Sequence, residues 1–229
     1  MKYLPLIILI TTLISCKPTT EMQESRSKYF EGFVETAESY SGTGYGVIKN
    51  LEKKYGKKVV TYVSAGGFVS RSFIDSNGII LTRVIYRPDS LKFYTFYSNS
   101  DTVYANDITY DSWNTTLLGL TTKSTLKILG HNIDIIKSRL LSDDSTNSTK
   151  YWQNEYYVDP NYPVNPLVYK NIISEGFEEA FRNSPYLIVG RKYTYNGNAT
   201  TLATAIRIVK MSVPAWHFEI PKNKVIIEQ

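Results

Sequence analysis

The chain has 229 residues, 21% charged and 42% hydrophobic, which is the balance of an ordinary folded domain and not of a disordered tail. Its net charge of +5 is dispersed, with neither a basic stripe nor a nucleic-acid module, so nucleic acid is not expected as a partner. The single Cys excludes an internal disulfide framework, and the 19 Tyr suit a twisted sheet in which rings pack while hydroxyls stay wet.

Residues 1–15 read as an export signal. Lys2 supplies a positive start, Leu4 to Ile14 form an apolar run broken only by Pro5, Thr11 and Thr12, and Ser15 is the small residue at the cut. The run is too short for a membrane-crossing helix, which takes about 20 apolar residues. Leu13-Ile14-Ser15-Cys16 looks like a bacterial lipobox, which predicts that Cys16 carries lipid and ties the chain to the cell envelope. Lys17, directly after it, favours the outer membrane. Residues 16–27 are polar and aperiodic and are expected to be a lipidated tether. The folded domain is expected over residues 28–229.

Within that domain, Tyr29 to Thr36 alternates as a strand, with Phe30, Gly32 and Val34 on one face. Val47, Ile48, Leu51 and Tyr55 recur at helical spacing, and Gly56 stands where a helix would stop. From Lys57 the period becomes two. Strands are expected at Val59–Val63, Phe68–Ile74, Ile79–Tyr86, Leu91–Tyr97 and Thr102–Asn106, divided by turn sequences such as Gly66-Gly67 and Asp75-Ser76-Asn77-Gly78, and this argues an antiparallel meander. Residues 107–122 are less regular. Three more strands are expected at Ser124–Leu129, Ile133–Leu141 and Thr149–Val158. Pro160, Pro163 and Pro166 then argue an extended connection and not a central strand. Ser174 could cap a short helix over Glu175–Arg182 with Phe177, Ala180 and Phe181 on one side. Asn196-Gly197 is a turn, Thr200–Val213 a long strand and Trp216–Ile220 a closing one. The fold class is therefore mainly β (α+β), a single antiparallel sheet of about 9–11 strands with two or three short helices.

The residue types that carry chemistry are sparse. No Gly-x-Ser-x-Gly elbow is present. His131 and His217 lack zinc-ligand spacing, and the acidic pairs Asp143-Asp144 and Glu178-Glu179 are neighbours that point apart. A non-catalytic protein with no metal and no cofactor is expected.

Four stretches carry a family resemblance: Tyr55-Gly56-Lys57-Lys58 leading into Val59 to Phe73, the step Ile128-Leu129-Gly130-His131, the strand from Trp152 to Tyr157, and Val213-Pro214 followed by Phe218-Glu219-Ile220-Pro221. Over residues 28–226 the chain resembles a group of Gram-negative lipoproteins whose domain, of unknown function, is similar to the periplasmic lipoprotein carriers. Many members have a Cys just after the Ile-Leu-Gly step, where this chain has Ile133 and Asp134. The resemblance implies an open, strongly curved antiparallel half-barrel with helices in its concave mouth. A concave face with lid helices is expected to bind a hydrophobic small molecule, a lipid or a lipidated partner. Ile48 and Leu51 on the first helix, with Phe177 and Phe181 on the later one, are the candidate ligand or lid residues. The alternative is an envelope structural lipoprotein that docks on a membrane-protein complex, its half-barrel filled by its own core.

Overall fold

Twelve strands form one sheet in the computed structural model, which describes residues 28–43, 45–109, 115–142, 151–173, 177–182, 184–196 and 199–229. The export signal, Cys16, the tether, Asp143-Asp144, Ser174, Glu175 and Gly197 lie outside the described residues, as do the side chains of Ile48 and Glu179.

Six strands make the first meander: β1 (Gly32–Gly42), β2 (Lys58–Val63), β3 (Val69–Ile74), β4 (Ile80–Arg87), β5 (Lys92–Tyr97) and β6 (Thr102–Asp107). Five more make the second: β7 (Thr115–Ile128), β8 (His131–Ser142), β9 (Tyr151–Pro163), β10 (Tyr186–Tyr195) and β11 (Ala199–Lys210). β1 pairs with β11 and joins the two halves, and β12 (Val225–Glu228) returns to lie parallel against β6. The order across the sheet is β12-β6-β5-β4-β3-β2-β1-β11-β10-β9-β8-β7, open at both edges. Every pairing except β12 with β6 is antiparallel, as expected of strands joined by short turns.

Local chemistry sets the joints. Leu129 and Gly130 both have positive φ, 50° and 84°, so β7 and β8 are joined by a two-residue turn of the hand that matches strand twist. The helix α1 (Tyr45–Tyr55) ends at Gly56, whose φ of 69° lets its N–H reach the carbonyl of Glu52 at 2.8 Å. A Cβ on Gly56 would stand 2.2 Å from the carbonyl oxygen of Ile74.

Both faces of the sheet are covered. On the inner face, Val34, Val63, Ile133, Ile136, Tyr156, Leu187 and Val189 pack with Val164, Val168, Tyr169, Ala180 and Phe181 of the connection between β9 and β10. On the outer face, Ile85, Tyr94, Phe96, Val103 and Ala105 form a second cluster against Ile220.

Several sequence expectations are corrected. The described residues form twelve strands: β10 and β12 lie where no strand is expected, and β7 begins inside the stretch read as irregular. β9 continues to Pro163 despite its prolines. β8 stops pairing with it at Val158, so beyond that point β9 has one free side where a missing N–H costs nothing. Trp216–Ile220 is not a strand. Residues Ala215–Phe218 form a 3-10 turn that crosses the outer face near β3 and β4, with Phe218 buried and its ring 6.0 Å from that of Phe68. Pro214 just before the turn and Pro221 after it disfavour a regular ladder there. The helical content is also lower than expected. Among the described residues the one extended helix is α1, and the later segment shows the five-residue α2 (Phe177–Phe181), too short for more than about one helical turn. Two or three helices lying across the concave face are therefore not what is described.

Candidate functional site

The arm between β9 and β10 is held onto the inner face by polar ties at several points. Asn165 starts it: its Oδ1 accepts from the Leu167 N–H at 3.1 Å, and its Nδ2 donates to the carbonyl of Ala65 at 3.0 Å. The Tyr86 hydroxyl donates to the carbonyl of Leu167 at 2.7 Å, and the Tyr169 hydroxyl donates to that of Tyr186 at 2.7 Å. The Ile173 N–H donates to the carbonyl of Ile108 at 3.1 Å.

Between arm and sheet lies a cavity of about 340 Å³. Its apolar wall includes Val69, Phe73, Val84, Phe93, Ile172 and Phe177. Phe93 on β5 and Tyr193 on β10 both line it, although six strand-to-strand steps separate them. At about 4.8 Å per step a flat sheet would hold them roughly 29 Å apart. The sheet must curl around the cavity, which makes its inner face concave.

The polar wall follows from the ladder. Glu38 is paired with Ala203 and Ala203 with Arg191, so the register sets Glu38 and Arg191 in one cross-strand row. Arg191 Nη2 is 3.7 Å from Glu38 Oε2, and the Thr36 hydroxyl donates to Glu38 Oε1 at 3.1 Å. The guanidinium of Arg191 also lies 5.4 Å from the centre of the Tyr193 ring. Burial opposes the charge on Arg191, but Tyr193 and Glu38 support it, and its pKa ends above the ordinary value.

Arg71 on β3 lines the same cavity, half-buried, and its guanidinium makes no hydrogen bond and no ion pair with the described residues. Burial, and then the like charge of Arg191, push its pKa down. The hydroxyls of Tyr40, Tyr86 and Tyr169 are committed to backbone carbonyls, that of Tyr40 donating to Gly56 at 2.9 Å. Burial raises the pKa of all three, that of Tyr86 to about 12.

Of the four residues singled out from sequence, Phe177 lines the cavity and is half-buried. Phe181 does not line it. That ring is 2% exposed and packs at 4.3 Å on Tyr169, 4.8 Å on Phe177 and 5.2 Å on Tyr156, as part of the core. Leu51 is half-buried and is not among the lining residues, where α1 contributes Tyr55, whose ring lies 5.7 Å from Phe73. Arg71, Arg191, Glu38 and Tyr55 were not anticipated. The signal for Arg71 was present, since Val69-x-Arg71-x-Phe73 places a charge on the apolar face of a period-two segment.

The histidines sit elsewhere. His131 Nδ1 lies 2.5 Å from Asp159 Oδ2, and the buried Asp159 carboxylate also accepts, through Oδ1, from the backbone N–H and the side chain of Asn161 at 2.9 and 2.8 Å, at the irregular end of β9. His217 stacks between Tyr62 and Trp216 at 3.8 and 3.6 Å, and burial followed by the charge of Arg83 pushes its pKa down. Among the described residues no three His, Cys, Asp or Glu side chains converge as a metal site would require.

No family model matches the chain, and no curated protein matches it. Solved structures do. One is that of PNGF-II, with 14% identity and a TM-score of 0.44, covering 86% of this chain but only 31% of that one. Another is a LolA superfamily protein from Nitrosomonas europaea, with 6% identity and a TM-score of 0.39, covering 84% of this chain and 91% of that one. A DUF1329 family protein from Desulfovibrio piger gives 9% identity and a TM-score of 0.37, covering 84% and 90%.

Proposed function

We propose that this chain is a non-catalytic envelope lipoprotein that binds an apolar ligand, or the acyl part of a lipidated partner, between the concave face and the arm. The cavity supports this. At about 340 Å³ it lies at the lower end of the roughly 300–1,000 Å³ usual for ligand sites, and more of its wall is apolar than polar. The lipid on Cys16 would hold the domain at the envelope membrane, most simply the outer one, with residues 17–27 as its tether. Native mass spectrometry of protein purified from its own envelope tests the proposal. A co-purifying lipid-sized mass is expected, and a ligand-free chain that also fails to take up an apolar fluorescent dye would refute it.

A docking role is favoured by a different observation. β12 is an edge strand with Val225, Ile226 and Ile227 each 44% exposed or more, and such an edge can accept another strand. A stoichiometric protein partner in the same spectra would support that role instead.

A further inference from the structure

We propose that the cavity selects a single-chain amphiphile with a carboxylate head, seated by Arg71 and Arg191 with its alkyl chain against the apolar wall. This rests on the ligand-binding reading above and names the ligand's class. Two guanidinium groups face a half-enclosed space, and Glu38, the one carboxylate among its described lining residues, is already shared by Arg191 and Thr36. Arginine does not give up its proton in proteins. The cavity therefore holds one positive charge more than it neutralises, and a poorly hydrated charge without a partner is costly.

The residues left to meet a ligand point the same way. Tyr40, Tyr86 and Tyr169 spend their hydroxyl protons on backbone carbonyls. The charged donors among the described lining residues are those of Arg71, whose guanidinium has no hydrogen bond or ion pair with them, and the N–H groups of Arg191 not turned to Glu38; Tyr55 and Thr201 add only neutral hydroxyls. A guanidinium presents planar, paired donors that fit a carboxylate two at a time. An excess of one charge matches a monoanion better than a doubly charged phosphate. The apolar side chains Val84, Phe93, Ile172 and Phe177 in the same wall supply contact for one alkyl chain. Burial and the like charge of Arg191 depress the Arg71 pKa, and a carboxylate seated between the two guanidinium groups would oppose that shift.

The test uses the full-length chain with Cys16→Ser, which removes the proposed acyl anchor, and two probes: fluorescent parinaric acid and its methyl ester. The wild-type cavity is expected to bind the acid at least about tenfold tighter than the ester, the worth of one hydrogen bond to a charged group. Arg71→Met should abolish that preference and keep the affinity for the ester. Equal binding of acid and ester by the unaltered cavity would overturn the inference while leaving the apolar site standing, and this comparison needs no cavity variant to fold. A preference that survives in a folded Arg71→Met chain would also overturn it. Binding of neither probe would bring down the apolar site and the inference together.

Discussion

Phe177 and Phe181 occupy one helical turn and have different surroundings, so a pair of substitutions separates core from cavity. Phe181 is enclosed by Tyr156, Tyr169 and Phe177, and Phe181→Ala should lower the free energy of unfolding by about 3–5 kcal/mol in urea titration. Phe177 borders open volume, so Phe177→Ala should cost less and should change the uptake of an apolar dye. Equal losses would show that the cavity collapses around either gap. Tyr86 adds a pH signature. Burial raises its folded pKa to about 12, above the ordinary tyrosine value, so its contribution is complete below the unfolded pKa and is lost as pH rises through the folded one. The melting temperature should fall between about pH 10 and 12, and less steeply in Tyr86→Phe. An unchanged slope in that variant would assign the alkaline loss to other tyrosines, Tyr157 being the first candidate. At the other end of the chain, Cys16→Ala should move the protein from the membrane fraction to the soluble fraction. Retention after a salt wash would rule out anchoring through that residue.

At the scale of elements, the joint after α1 carries a direct test. Gly56 combines a positive φ with a carbonyl 2.2 Å from where a Cβ would be. Gly56→Ala should therefore cost more than the roughly 1–2 kcal/mol of left-handed backbone alone, measured in the same titration. An undamaged variant would mean that α1 and the β3–β4 turn can shift apart freely. This glycine shows what the sequence made legible. The helix stop was marked by residue type, and the meander from Val59 to Asn106 by strict alternation between turn residues. Elements decided by tertiary contact were less visible. β12 exists only because β6 offers an edge, and Trp216–Ile220 has strand-like composition but uses Phe218 and Ile220 to cover the outer face of other strands. The apolar cavity wall could be suspected from the aromatic arm, and one charge on it from the Val69-x-Arg71-x-Phe73 pattern, but the meeting of two charges could not. Arg71 and Arg191 lie 120 positions apart and share a space only because the sheet curls.

For the whole molecule, that curl makes stability uneven, and the unevenness governs access to the cavity. The middle of the sheet, β1 with β2 and β11 on either side, is paired along both edges and lies between the two meanders. Opening it would break two ladders and expose inner-face core. The edges have less to lose: β12 has one partner and exposed side chains, and β7 pairs only with β8. The arm is intermediate. It buries Val164, Val168 and Phe181, yet its polar ties to the sheet, such as Tyr86 to Leu167 and Asn165 to Ala65, are isolated bonds and not a ladder. Amide hydrogen exchange should therefore rank β1 and β11 slowest, the arm faster and β12 fastest, because local opening follows local contact density. Ligand entry then requires only the arm to lift, leaving the sheet closed behind it. Binding of an apolar probe should slow exchange at Val168 and Ile173 more than at any residue of β1. If arm and central strands exchange at one common rate, and the probe slows them equally, the sheet and arm open as a single unit and the arm is no gate.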